Sequence, residues 1–153
     1  MEVPQEFVDK VVEVYYPNYR YLKSADIDFP IAKGRFQLGQ TEYMETLQHV
    51  TDIEAQLCLN QLAYVFFGNE IVNGRWPESG NISFDKFMAL RKENMFIVES
   101  KKKFRRETDP RIPFSGHIEL KRIKKQRDIY VAKIDFDLNE KACMGELSLV
   151  LKV

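Results

Sequence analysis

Apolar and polar positions divide the chain into an early helix, two strands, a second helix and a late group of strands. Residues 5–15 carry apolar side chains at helical spacing, namely Phe7, Val8, Val11, Val12 and Tyr15. This spacing predicts a short amphipathic helix, which Pro17 ends. From Tyr19 to Leu38 the pattern predicts extended chain, with a turn at Pro30 and a second strand in AKGRFQLG. Residues 39–50 continue a strand or form a loop.

Residues 52–68 give the strongest helical signal in the chain. Thr51 and Glu54 form the Thr-x-x-Glu pattern of a capping box. From Ala55 to Phe67 only three residues are polar, namely Gln56, Asn60 and Gln61. A helix that is apolar on every side is buried on every side, and this one is too short to span a membrane. The rest of the protein must therefore enclose it.

The remainder of the chain predicts a connector followed by four strands. Residues 69–94 contain turn signals at Asn73-Gly74 and Ser79-Gly80-Asn81, and Ser83 caps a short helix, FDKFMALRKEN. Alternating segments follow over residues 95–107, 113–126, 129–138 and 142–153, with hairpin turns at Asp128 and at residues 138–141. We therefore expect a single α+β domain over residues 1–153, in which an antiparallel sheet wraps around the helix at about 52–68. This is the hot-dog fold.

Composition narrows the function only broadly. The 153 residues are 44% hydrophobic and 30% charged, with 23 basic and 23 acidic side chains, so charge gives no reason to expect nucleic-acid binding. The N-terminus lacks a signal-peptide pattern, and no apolar run is long enough for a membrane span. Cys58 and Cys143 have no CxxC spacing, which favours buried free thiols. These features fit a cytoplasmic protein with no metal site.

The polar residues at the head of the second helix are candidates for catalysis. His49 precedes the cap, where free N–H groups and the helix dipole favour an oxyanion, and it can move a proton there. Alternatively, His49 only hydrogen-bonds the capping loop. Glu54 is either a general base or simply the second half of the capping box. His117 lies within a strand, where an exposed or interfacial position is the simpler interpretation.

Four further polar residues have both a structural and a functional interpretation. Asn60 and Gln61 are costly to bury without partners, so we expect them to bind sheet backbone or a second subunit. Tyr15 and Tyr43 can donate hydrogen bonds to a substrate or pack as amphipathic side chains.

A basic run is the last candidate for ligand binding. It comprises Lys101–Lys103 with Arg105 and Arg106. Such a run is either the solvated face of a strand or a site for a phosphopantetheine or nucleotide phosphate.

Several segments together resemble the FcoT-like acyl thioesterase family. The most distinctive is CLNQLAY (Cys58–Tyr64) within HVTDIEAQLCLNQLAY. Others follow the family's order along most of the chain, namely VEVY (12–15), YRYL (19–22), GQTEY (39–43), KKFRRETDP (102–110) and GELSL (145–149).

The resemblance implies a hot-dog fold, assembly as a homodimer or a trimer of dimers, and a site between subunits for a fatty acyl thioester on coenzyme A or acyl carrier protein. It implies no cofactor. The family's active-site tyrosines and histidine fall on Tyr15, Tyr43 and His49, which we expect to be catalytic. Its asparagine falls on Thr51, which departs from the pattern and cannot supply an amide. We expect substrate contacts from the set Thr51, Glu54, Asn60 and Arg105.

Two reactions are open for such a family member. One is hydrolysis of the thioester, and the other is addition of an amine such as glycine to the β-carbon of an α,β-unsaturated acyl thioester. The second needs a base, donors for an enolate oxygen, and a cation for the glycine carboxylate, for which Arg20, Arg75 and Arg105 are candidates. A hot-dog dehydratase or hydratase is an alternative, although the Pro-Gly that opens the helix in those dehydratases is missing. A non-catalytic module that binds an acyl chain or carrier protein is another.

Overall fold

A six-stranded antiparallel sheet and three α-helices make up the described part of the chain. The computed structural model describes residues 1–39, 41, 43–75 and 82–152. The helices are α1 Gln5–Val12, α2 Asp52–Val72 and α3 Phe84–Glu93. The strands are β1 Leu22–Asp28, β2 Ile31–Phe36, β3 Met95–Phe104, β4 Phe114–Gln126, β5 Ile129–Leu138 and β6 Cys143–Lys152, in the sheet order β1-β2-β4-β5-β6-β3. The predicted α+β hot-dog arrangement is confirmed.

The sheet encloses α2, as its apolar sequence predicted. Its central side chains are at most 1% exposed, including Cys58, Leu59, Leu62, Val65 and Phe66. Burial of each large apolar side chain stabilises the fold by about 1.5–3 kcal/mol, so α2 is the centre of the core against which the sheet packs. No helix in the described ranges is long and apolar enough to cross a membrane.

The end of α2 differs from the prediction. The sequence pattern placed the end of the helix at Gly68, but the helix continues to Val72. Gly68 does not end the helix because its role is close packing: a Cβ there would lie 2.4 Å from the Phe87 ring of α3. The glycine is therefore a contact point between two helices.

The segment before β1 also differs from the prediction. The helix α1 ends at Val12 instead of Tyr15, and Pro17–Tyr19 form a short 3₁₀ turn. The cause is local, since the Arg20 Nε donates to the Tyr15 carbonyl at 2.9 Å and stabilises a bend. Described residues of 39–50 form a loop, and the turn predicted at 79–81 lies outside the described residues.

Gln61 joins α2 to the start of β1. Its Oε1 accepts hydrogen bonds from the backbone N–H groups of Tyr21 at 2.9 Å and Leu22 at 3.0 Å, and its Nε2 donates to the Tyr19 carbonyl at 2.6 Å. The side chain is fully buried. The expectation that a buried amide of α2 binds sheet backbone is thus confirmed for Gln61, which satisfies three main-chain groups at once.

The two cysteines are free and buried, as predicted. Burial, followed by the nearby Glu54 charge, raises the pKa of the Cys58 thiol well above its usual value. A thiol held protonated in this way is a packing group and a poor nucleophile.

We expect Gln61→Leu to lower the free energy of unfolding by about 2–4 kcal/mol, because it leaves buried main-chain groups without partners. Urea unfolding followed by circular dichroism measures the change. Gln126→Leu, at the exposed end of β4, is the matched control and is expected to stay within about 0.5 kcal/mol of the parent. Equal stability of the two variants would contradict the role of Gln61.

Candidate functional site

The head of α2 is closed by the predicted capping box. Thr51 Oγ1 accepts from the Ile53 N–H at 3.3 Å, and the Thr51 N–H donates to Glu54 Oε1 at 2.8 Å. This leaves the N–H of Asp52 as a first-turn donor with no hydrogen-bond partner in the part of the chain that is described. The positive end of the helix dipole therefore retains one free donor for an oxyanion.

Glu54 is a fully buried carboxylate held by hydroxyl and amide donors. Its Oε1 accepts from the Thr51 N–H and, at 2.7 Å, from Thr51 Oγ1. Its Oε2 accepts from the Tyr43 hydroxyl. No ion pair joins Glu54 to a cation among the described residues. The carboxylate thus accepts three hydrogen bonds at the positive end of the helix dipole.

Tyr43 is the exposed partner of this carboxylate. Its side chain is about half exposed and also lies 3.4 Å from Thr51 Oγ1. Partial burial and then the hydrogen bond to Glu54 raise the pKa of Tyr43. At neutral pH the hydroxyl is therefore protonated, and Tyr43 is the donor in its hydrogen bond with Glu54.

Tyr21 adds a buried hydroxyl that sequence reasoning missed. Its Oη has no hydrogen-bond partner in the described residues, and the residue is fully buried. Burial, followed by the charge of Glu54, raises the pKa of Tyr21. The alternating pattern from Tyr21 into β1 marks Tyr21 only as a core residue. Its proximity to Glu54 depends on the Gln61 bonds that join α2 to the start of β1.

His49 lies beside this cluster and lines a separate surface pocket. The pocket has a volume of about 400 Å³ and is lined by His49, Val50, Thr51, Asp52, Phe104, Arg105, Arg106 and Glu107. His49 is exposed, and no hydrogen bond joins it to Tyr43 or Glu54 in the described structure. The structure therefore brings Tyr43, Thr51 and Glu54 together and places His49 on the open side of the same helix head.

Arg105 is the cation of this pocket that is available to a ligand. Arg106 is occupied, since its guanidinium donates to the carbonyls of Asn139 and Glu140 at 2.7 Å each. The Arg105 guanidinium donates a hydrogen bond only to the Met144 sulfur, at 3.7 Å, among the described side chains. A weak acceptor such as a thioether leaves the guanidinium free to bind a phosphate.

Tyr15 and Asn60 belong to a second cluster further along α2. The Tyr15 ring stacks on Tyr64 with centroids 6.4 Å apart, and the Tyr15 hydroxyl interacts with the Tyr64 and Asn60 side chains. Asn60 Oδ1 in turn accepts from Gln56 Nε2 at 2.8 Å. Asn60 is nine residues beyond Thr51, which is about 13 Å along the helix. The candidate residues thus form two groups within one copy of the chain.

The remaining candidates have structural roles. Arg75 forms an ion pair with the buried Glu70 at 2.8 Å, and Arg20 donates to main-chain carbonyls. His117 is a half-buried residue of β4 that lies opposite Lys33 and Asp137 on the neighbouring strands, in keeping with the strand position expected for it. No group of three or more potential metal ligands is found in the described residues.

Comparison with known proteins identifies the family of this chain. Residues 10–151 match the FcoT-like thioesterase domain. The chain belongs to this family. Relatives of this FcoT-like chain include the (2E)-enoyl-[ACP] glycyltransferase of Mycobacterium marinum, which is 28% identical over 127 residues, 80% of this chain and 68% of the relative. A protein of the same name from Mycobacterium tuberculosis is 29% identical over 113 residues, 71% of this chain and 62% of the relative.

Solved structures support the fold of this FcoT-like domain. A sigma28-regulated virulence protein from Campylobacter jejuni superposes with a TM-score of 0.55 at 14% identity, covering 98% of this chain and 93% of the other. A hypothetical thioesterase from Streptococcus pneumoniae, solved with coenzyme A, gives 0.52 at 7% identity and covers 97% of both chains. At these identities the likeness concerns the fold alone.

We expect Tyr43→Phe to lower the free energy of unfolding by about 1–2 kcal/mol at neutral pH, because a buried carboxylate loses a donor. The folded protein raises the pKa of Tyr43. This stabilisation is therefore fully present below the pKa of an unfolded tyrosine, about 10, and is lost as the pH rises through the raised value. Urea unfolding at neutral and alkaline pH measures the difference. Tyr16→Phe, at an exposed tyrosine, is the control, and a difference that grew with pH would contradict this assignment.

Proposed function

We propose that this chain adds a small amine, with glycine as the leading candidate, to the β-carbon of an α,β-unsaturated acyl thioester. The observation that carries the proposal is the Tyr43–Glu54 pair at the head of α2 in a chain of the FcoT-like family. The names of the relatives support an enoyl thioester and glycine as substrates. The substrate is an acyl group on acyl carrier protein or coenzyme A.

The proposed reaction uses four groups at the helix head, namely the Asp52 N–H, His49, Tyr43 and Glu54. The amine nitrogen forms a bond to the β-carbon, the electrons of the double bond move to an enolate oxygen, and a proton from nitrogen finally reaches the α-carbon. The Asp52 N–H and the helix dipole stabilise the enolate oxygen. His49 accepts the proton from the amine, and Tyr43 gives a proton to the α-carbon. Glu54 keeps the Tyr43 hydroxyl in place, and the proton that His49 took from the amine returns through solvent to Tyr43.

The pocket beside His49 suits the carrier arm of the substrate. Arg105 presents a free guanidinium within this pocket, close to the helix head. A pantetheine phosphate is an anion whose oxygens match the forked donors of an arginine. The thioester would thus enter past Arg105 with its carbonyl directed toward Asp52.

Two copies of the chain are proposed to pair through β3. The other edge strand, β1, is covered by the N-terminal residues, since Val3 donates to the Ala25 carbonyl and Ile27 to the Met1 carbonyl. The outer edge of β3 has no partner among the described strands and carries exposed apolar side chains, namely Phe96, Val98 and Phe104. An uncovered apolar edge is a surface for pairing with a second strand, and a second copy supplies one by two-fold symmetry.

Antiparallel pairing of β3 also brings the two clusters of the site together. Ser100 of β3 bonds Gln56 of α2 at 3.0 Å, which sets the level of that helix residue on the strand. If the two-fold axis passes near Ser100 and Gln56, the α2 helices of the two copies run in opposite directions. Thr51 of one copy then lies beside the residues around Gln61 of the other. The helix head of one copy then faces the Asn60 and Tyr64 region of its partner.

Thioester hydrolysis is the second candidate reaction, because the family is thioesterase-like and the same helix head can polarise a carbonyl. A hydratase or a non-catalytic acyl-binding module uses the same apolar interior. Mass spectrometry of crotonyl and longer enoyl thioesters, incubated with and without glycine, separates these possibilities. A glycine adduct supports amination, free acid without glycine supports hydrolysis, a water adduct supports hydration, and unchanged substrate contradicts catalysis.

We expect Glu54→Gln and His49→Gln each to lower kcat by about 10²-fold or more, the range for loss of an acid–base group. Glu54→Gln keeps the shape of the capping side chain, so thermal unfolding of the variant shows whether the fold is retained. Glu45→Gln, at an exposed loop residue, is the control with unchanged kcat. Full turnover by His49→Gln on every enoyl thioester would show that this mechanism is wrong.

For assembly, we expect Val98→Glu to shift the protein from dimer to monomer in light scattering after size-exclusion chromatography, because it places a charge on the apolar edge. Ile112→Glu is the matched control, since Ile112 is 61% exposed and Val98 is 56% exposed. A Val98→Glu protein that remains as dimeric as the control would exclude pairing through β3.

A further inference from the structure

Arg91 of α3 is a buried cation without an acidic partner. It is 7% exposed, and its Nε donates to the Val11 carbonyl at 3.0 Å while one terminal nitrogen donates to the Met88 carbonyl. A guanidinium has five N–H donors, so three have no partner among the described residues. No ion pair joins it to a described carboxylate. Burying a charge without a counter-ion lowers the stability of the folded protein, and a bound anion would offset that cost.

The Tyr15–Tyr64 pair lies near this arginine. Arg91 binds the Val11 carbonyl, and the Tyr15 N–H donates to the carbonyl of the next residue, Val12, at 3.0 Å. Burial raises the pKa of both hydroxyls, and the positive charge of Arg91 acts in the opposite direction on each. Both side chains are half-buried, so this pair borders solvent. Burial lowers the pKa of Arg91, while Tyr64, and then Glu13, act in the opposite direction without an ion pair.

A chain of hydrogen bonds leads along α2 to Asn60. Lys102 donates to Gln56 Oε1, and Gln56 Nε2 donates to Asn60 Oδ1. Asn60 and Tyr64 both interact with the Tyr15 side chain, on which the Tyr64 ring stacks. The Tyr64 hydroxyl has no acceptor among the described residues, so it remains a donor for a ligand, within the influence of the Arg91 charge.

We propose that Arg91 and the Tyr64 hydroxyl bind the carboxylate of the amine co-substrate, an α-amino acid of which glycine is the smallest. This inference rests on the proposed amination and identifies the cation that it requires. A carboxylate offers two planar acceptor oxygens, which match the fork of a guanidinium. It also supplies the negative charge that the buried Arg91 lacks.

The amino acid so bound would serve the helix head of the second copy. Tyr64 lies 13 residues beyond Thr51 on the same helix, about 20 Å away, which a small amino acid cannot bridge. Antiparallel pairing through β3 removes this difficulty, because it brings the partner's helix head toward the Asn60 and Tyr64 region. Each reaction centre then takes His49 and Tyr43 from one copy and Arg91 and Tyr64 from the other.

The decisive experiment compares glycine with glycinamide, which keeps the amine and lacks the carboxylate. We expect Arg91→Gln to raise the KM for glycine by about 10- to 100-fold, and to leave the KM for glycinamide and for the enoyl thioester unchanged. Tyr64→Phe, which removes one hydroxyl, is expected to raise the KM for glycine by about 3- to 10-fold. Arg111→Gln, at an exposed arginine, is the control. A merely structural Arg91 would affect glycine and glycinamide alike, and that result would overturn the proposal.

Calorimetric titration with glycine distinguishes this inference from the proposed reaction. If the parent protein binds glycine but forms no adduct with any enoyl thioester, and Arg91→Gln loses glycine binding, only the proposed reaction is overturned. Normal adduct formation with an unchanged glycine KM in folded Arg91→Gln would overturn only the carboxylate site.

Subunit mixing tests the sharing of the site between copies. At a glycine concentration far below the KM of Arg91→Gln, neither Arg91→Gln nor His49→Gln turns over appreciably. When the two proteins are unfolded together and refolded, mixed dimers contain one site with both residues intact. We expect recovery of about a quarter of the parent activity, the statistical share for a two-fold dimer. No recovery, with mixed dimers shown by mass spectrometry, would place both residues in the same copy's site and overturn the shared arrangement.

Discussion

The enclosure of α2 is the constraint on which the rest of this structure depends. Because the helix is apolar on nearly every side, the sheet must curve around it, and any polar group on the helix must find a partner inside the protein. Gln61 meets this requirement by binding the main chain at the start of β1. The same contact that satisfies a buried amide also fixes where the sheet begins.

The polar residues of α2 fall on two faces with different tasks. Glu54 and Gln61, seven residues apart, face the segment before β1 and bring Tyr21 and Tyr43 to the helix head. A second row, with a spacing of four, comprises Gln56, Asn60 and Tyr64. It runs from Gln56, which contacts β3, to Tyr64, which stacks on Tyr15. One face thus builds the proposed catalytic group, and the other connects it to the uncovered edge where a second copy is proposed to pair.

Sequence reasoning recovered the elements that depend on local pattern. The capping box, the start of the apolar helix and the alternating strands each depend on residues close together in the sequence, and each was found in the predicted part of the chain. The end of α2 was predicted wrongly because the sequence does not distinguish a glycine that ends a helix from a glycine that lets a neighbouring ring pack closely. Gly68 proved to be the second case, and only the contact with Phe87 reveals it.

The parts of the site that the sequence did not predict depend on long-range contacts. Arg91 bonds Val11, which is 80 positions earlier in the chain, and no local motif links the two. A buried arginine without a counter-ion lowers stability, since its desolvation is not offset by an ion pair. A carboxylate that binds there gains the interaction that the folded protein leaves unmade. The unliganded protein is therefore less stable than it could be, and binding recovers that stability, which is the relation expected between a functional site and its ligand.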